Sequence, residues 1–252
     1  MLGILSMCRL KKSEPRKSAQ VGAYRPAFES LESRVVFSGV STHNAIYVWR
    51  DAAANGTPVD LQEAQRLAEF AQAENIQTIL YDNWGCGASC PDRNRSGSQD
   101  PDVVAEIVSQ LHSEGLSAQA LYTDSYRITE VVDYNSSVAA DARFDALRLN
   151  IEAGSFANGR WPGGGFEPTA AEDLDVIAEA VSLAGGLPVY VSIGHHWDEL
   201  ITYGGVMKPA FQHILDMTSG VDIQTAQDTA SVIAQISQEE VAYANAIGKP
   251  AS

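Results

Sequence analysis

At 252 residues, with 45% hydrophobic and 19% charged side chains, the chain has an ordinary globular composition and the length for one large α/β domain or two small ones. Its net charge of −15 is uneven: residues 1–34 carry seven Lys or Arg against three Glu, which leaves 10 basic and 29 acidic residues in the remainder. So acidic a body repels nucleic acid and anionic membrane, and a neutral substrate such as a sugar suits it better.

Residues 1–40 are basic, rich in Ser and Pro, and without periodic apolar residues until Val35-Val36-Phe37. They are expected to lie apart from the fold, as a disordered arm or an export signal. No run of 18 apolar residues occurs, so no transmembrane helix is expected. The stretch Phe28-Glu29-Ser30-Leu31-Glu32-Ser33-Arg34-Val35-Val36-Phe37-Ser38 resembles a leader common on exported proteins of planctomycete bacteria. That resemblance implies export or delivery to the cell surface. Cys86 and Cys90 lie in a Gly/Ser loop, where they can close a small disulfide after export or remain thiols in a reducing cytosol.

Residues 41–252 form the expected domain, in which one theme repeats. Candidate strands are 45–49, 78–81, 118–122, 146–151, 188–193 and 221–225. Helical patterns separate them. Asp60 and Glu63 make a capping-box pattern ahead of Leu61, Ala64, Leu67, Ala68 and Ala71. Asp100-Pro101 opens a second helix carrying Val104, Ile107, Val108 and Leu111, which Gly115 ends. Thr169 with Glu172 opens another, closed by Gly185-Gly186, and Ser237 with Glu240 opens the last, which reaches Gly248. Strand–helix alternation about every 35 residues predicts parallel βα units, in a doubly wound sheet or a barrel. No glycine-rich nucleotide fingerprint follows the first strand, which ends Tyr47-Val48-Trp49-Arg50-Asp51.

The fourth strand is the most informative segment. Leu147, Leu149 and Ile151 alternate with Arg148, Asn150 and Glu152, so one face is apolar and the other polar. Polar side chains turned inward on such a strand are costly unless they serve a site. Every candidate strand is followed by an acid: Asp51, Asp82, Asp124, Glu152, Asp198 and Asp228. Helix capping explains part of that pattern, but Glu is a poor cap, which singles out Glu152. All four tryptophans (Trp49, Trp84, Trp161 and Trp197) also fall after strands, where their flat faces would suit a sugar. Asp82, Tyr122 and His196 complete the expected substrate-binding set. An imidazole of the His195-His196 pair can bind a hydroxyl, or the pair with Asp228 a metal, though a full ligand set does not follow from the sequence. No metal and no cofactor is expected.

Phe144-Asp145-x-x-Arg148-x-Asn150-x-Glu152 resembles the strand-four signature of chitinase-like glycoside hydrolase barrels, with Asp145 and Glu152 matching and Arg148 and Asn150 in place of two aspartates. Residues 44–250 resemble more broadly a group of poorly characterised bacterial barrels related to glycoside hydrolases. The carriers are a first strand ending in Trp49, the strand-six segment Val221-Asp222-Ile223-Gln224-Thr225-Ala226-Gln227-Asp228, and a helix ending in Gly248-Lys249. The resemblance implies an α/β fold, a parallel (β/α) barrel of TIM type. About six βα units are visible where eight are usual, so an incomplete barrel, truncated at its C-terminus, is expected. It implies a glycoside hydrolase-like protein acting on a neutral poly- or oligosaccharide. Glu152 would be the general acid, Asn150 would orient sugar or acid, and Asp228 would be the partner carboxylate. A catalytically inactive barrel that binds a glycan or a partner protein is the alternative.

Overall fold

The computed structural model describes residues 45–48, 61–81, 101–122, 128–150, 166–224 and 229–251. Among the described residues six strands form one sheet: β1 (Ala45–Val48), β2 (Thr78–Tyr81), β3 (Ser117–Tyr122), β4 (Ala146–Asn150), β5 (Val189–Gly194) and, after a hairpin, β8 (Gly220–Gln224). All five pairings are parallel, and strand order follows chain order, β1-β2-β3-β4-β5-β8. A doubly wound sheet reverses direction at a switch point; this one does not.

Helices α1 (Leu61–Ala73), α2 (Pro101–Ser113), α3 (Ile128–Ser137), α4 (Phe166–Leu183), α5 (Ala210–Met217), α6 (Ala230–Ile236) and α7 (Gln238–Ala246) complete the units. Among the described side chains of α1, Ala64, Ala68 and Ala71 are buried, and their small size allows close approach to the sheet. Along α2, Val104, Ile107, Val108 and Leu111 are buried at helical spacing. Gly115, at φ 78, then ends the turn, with Leu116 N–H donating to Leu111 O at 3.0 Å.

The period-two pattern sorts the strands into two faces. Ile79, Tyr81, Ala118, Ala120, Leu147, Leu149, Val191, Ile193 and Val221 belong to the apolar core shared with the helices. The opposite positions carry Tyr47, Gln119, Arg148, Asn150, Ser192, Asp222 and Gln224, which bond to one another. Those bonds fix the sheet's curvature. In a flat sheet β1 would stand about 24 Å from β8, at roughly 4.8 Å per strand. Yet the Tyr47 hydroxyl reaches Ser192 Oγ at 2.7 Å and Asp222 Oδ2 at 3.1 Å. The sheet therefore curls around a polar lumen. The fold is α/β, an incomplete barrel of TIM type built from six parallel strands, as the sequence led us to expect.

Three local expectations are corrected. Thr169 lies inside α4, which begins at Phe166, so it does not open that helix. Ser237 precedes α7 without capping it; its hydroxyl donates to Ile233 O at 2.7 Å, because α6 ends there and its last carbonyls need donors. The antiparallel hairpin β6 (Leu200–Tyr203) and β7 (Val206–Pro209) was not expected. It lies against α4, where Tyr203 donates to Asp175 at 2.9 Å. Beyond α7, Val221 N–H donates to Pro250 O at 3.2 Å and Ala251 bridges Val221 in parallel, so this segment lies along β8.

Candidate functional site

The lumen network is built around Arg148, whose side chain is 6% exposed. Its Nη1 lies 2.6 Å from Asp222 Oδ2. Nε and Nη2 both donate to Gln119 Oε1, at 3.2 and 3.1 Å. The guanidinium carbon sits 4.8 Å from the centre of the Tyr190 ring. A buried arginine requires such surroundings: a carboxylate to balance its charge and acceptors for its N–H groups. Gln119 is on β3, Tyr190 on β5 and Asp222 on β8, so the pleat of three strands delivers one guanidinium's partners.

Asp222 Oδ2 also faces the hydroxyls of Tyr47 at 3.1 Å and Ser192 at 3.3 Å, which lie 2.7 Å from each other. Burial first, then the neighbouring Asp222 carboxylate, pushes the Tyr47 phenol up to about 12, so it remains protonated and donates. Either Tyr47 donates to Asp222 while Ser192 donates to Tyr47, or Ser192 donates to Asp222 while Tyr47 donates to Ser192. Both arrangements satisfy the carboxylate. Toward the C-terminal ends of the strands, Gln224 Nε2 donates to Asn150 Oδ1 at 2.6 Å.

Asn150 thus lies on the lumen face with Arg148, as their shared parity predicts. It is 5% exposed, and its amide oxygen already serves Gln224. Trp197 is placed differently from the expectation. It lies in a 3-10 turn after β5, is 0% exposed and belongs to the apolar core, so it presents no face for a sugar to stack on. The turn folds back onto α5, and an indole gains more by burial there than at a solvent-facing rim. Glu152, Asp228, Trp49, Asp82, Trp84 and Trp161 lie outside the described residues, as do the side chains of Tyr122 and His196.

Asp145, which carries half of the strand-four likeness, stands at the opposite end of β4. It accepts from Ala118 N–H at 2.8 Å and Ser117 Oγ at 2.9 Å, and contacts His112 Nε2 at 3.0 Å. Its work is to tie β3, β4 and α2 together. Burial would raise its pKa, but the bonds from His112, Ala118 and Ser117 hold it below the usual value.

Sequence reasoning missed Tyr47, Gln119, Tyr190, Ser192, Asp222 and Gln224 as lumen residues. A signal existed. Each is a polar or aromatic residue at an alternate position of a strand whose other positions are apolar, the test applied to β4 alone.

Among the described residues no group of three or more His, Cys, Asp or Glu could hold a metal ion, and no helix is long and apolar enough to cross a membrane. No family model and no curated protein matches the chain. Among solved structures it is similar to a candidate racemase from Roseobacter denitrificans, at 16% identity and a TM-score of 0.44, over 83% of this chain and 46% of that one. The chain therefore spans about half the length of that protein. It is also similar to a sugar phosphate isomerase/epimerase from Parabacteroides distasonis ATCC 8503, at 9% identity and a TM-score of 0.43, over 81% of this chain and 87% of that one. At these levels nothing about activity passes to this chain.

Proposed function

We propose that this barrel acts on a neutral glycan at the C-terminal ends of its strands, with Glu152 as general acid, after export directed by its leader. The observation that supports this most is the lumen network. It is rich in hydroxyl and amide groups, and the Arg148 cation is matched by Asp222 at 2.6 Å. A floor of that kind offers hydrogen bonds without a net charge, which suits a polyhydroxylated ligand better than an anion. Glu152 has the parity of Arg148 and Asn150, two residues beyond the Asn150–Gln224 pair, and barrel enzymes place their chemistry at that end. Glu152 would protonate the glycosidic oxygen, and Asp228 is the candidate for stabilising the oxocarbenium-like transition state or activating water.

One observation favours the alternative, a barrel that binds a glycan without cleaving it. At the two positions where the resembled hydrolases carry aspartates, Arg148 and Asn150 are committed to protein partners. Glu152→Gln decides between the readings. Glutamine keeps the shape but cannot donate the proton, so a hydrolase loses about 10²–10⁴-fold in turnover while retaining its affinity for the glycan. The measurement is reducing-end release from a panel of neutral oligosaccharides, with binding followed in parallel. Undiminished hydrolysis in the variant would remove Glu152 from the mechanism. Equal binding with no hydrolysis in either form would establish the non-catalytic barrel.

A further inference from the structure

The lumen has a second opening. A cavity of about 350 Å³ lies at the N-terminal ends of the strands, opposite the end where barrel enzymes work. Its rim includes Ala45 and Thr78, the first residues of β1 and β2, together with Ala251, and its floor includes Gln119, Arg148, Tyr190 and Asp222. Several polar atoms here remain unused. Arg148 has five N–H groups, of which Nε–H and one on Nη2 serve Gln119 and one on Nη1 serves Asp222, leaving two. Among the described residues the Gln119 amide N–H₂ and the Thr78 hydroxyl make no hydrogen bond, though both residues are at most 8% exposed. These groups line the cavity and are open to it, so the acceptors of a ligand can take the place of water there.

Arg148 and the Gln119 amide N–H₂ present donors to the cavity, so a ligand must present acceptors to meet them. A carboxylate or phosphate would gain little from Arg148, because Asp222 beside the guanidinium repels it, and it would still lose its hydration. Hydroxyl and ring oxygens on a neutral ligand meet the donors without that cost. The volume is at the small end for ligand pockets and suits one sugar ring, not a chain of them. We propose that the cavity at the N-terminal ends of the strands binds a single neutral monosaccharide, held by the spare N–H groups of Arg148, the Gln119 amide and the Thr78 hydroxyl. This site is separate from Glu152 and does not depend on any hydrolytic activity.

The test is an NMR titration of the full chain with glucose, galactose and xylose. At least one is expected to bind saturably. Thr78→Val keeps the shape of the side chain and removes one hydroxyl, so it should weaken binding by about 3–10-fold. Ala45→Trp places an indole at the rim and should abolish binding, with thermal melting to show that the fold is intact. Glu152→Gln should leave the affinity unchanged. The proposal is overturned if none of the three sugars binds, if neither Thr78→Val nor Ala45→Trp alters binding, or if Glu152→Gln abolishes it. Hydrolysis by wild type and its loss in Glu152→Gln are read separately, so either reading can fail alone.

Discussion

Glu240 is a carboxylic acid in surroundings that disfavour its charge. It sits in α7 at 0% exposure, and among the described residues no other residue donates a hydrogen bond to either carboxyl oxygen. Burial, reinforced by the nearby carboxylates Asp198 and Glu239, raises its pKa from 4.5 to about 7. The folded state therefore holds this proton more tightly than the unfolded chain does. The stability that results is fully present below about pH 4.5 and is lost as pH rises through 7. By linkage, ionising the group in place costs on the order of 3 kcal/mol. Glu240→Gln removes that dependence. We expect the variant to melt higher than wild type at pH 8 and close to it at pH 5. Parallel Tm profiles for the two proteins would show that Glu240 does not titrate in this range.

At the scale of elements, the junction of β8 with the segment after α7 is tightly packed. A Cβ on Gly220 would lie 2.6 Å from Pro250 O and 2.8 Å from Pro250 Cγ. That same carbonyl accepts from Val221 N–H, so it cannot retreat without losing the bond. Gly220→Ala should cost about 1–3 kcal/mol, read as a lower urea midpoint, and should speed hydrogen exchange at Val221. An unchanged midpoint would mean that this segment does not hold the edge of β8.

The six strands were legible in the sequence because each is a short apolar or alternating run between turn residues. The hairpin was not. Exposed Leu200, Val206 and Met207 break the in–out pattern by which a strand is recognised. Ser237 and Glu240 show another limit. Their spacing fits a capping box, but α6 takes the serine hydroxyl and burial takes the glutamate. For the site, the parity of β4 put Arg148 and Asn150 on the lumen face. Their partners could not be read, because they stand on other strands and only the curl of the sheet brings them together.

Across the whole molecule, two kinds of contact differ in reach. Each strand pairs with the strand of the preceding or following parallel unit, so the sheet can grow one unit at a time. The Tyr47 hydroxyl is a chord across that curve, meeting Ser192 and Asp222 at separations of 145 and 175 residues. Closing so long a loop carries the largest entropy cost, which is not recovered until the intervening units are in place. The chord is therefore expected to form after the rate-limiting step of folding and to act mainly on the return path. Tyr47→Phe, which removes about 1 kcal/mol of hydrogen bonding, should speed unfolding roughly five-fold and leave the folding rate nearly unchanged. A slowed folding rate in stopped-flow measurements would place the chord in the nucleus instead. On this account the phenol of the first strand behaves as a latch: it adds little to how quickly the barrel assembles and much to how long it stays shut.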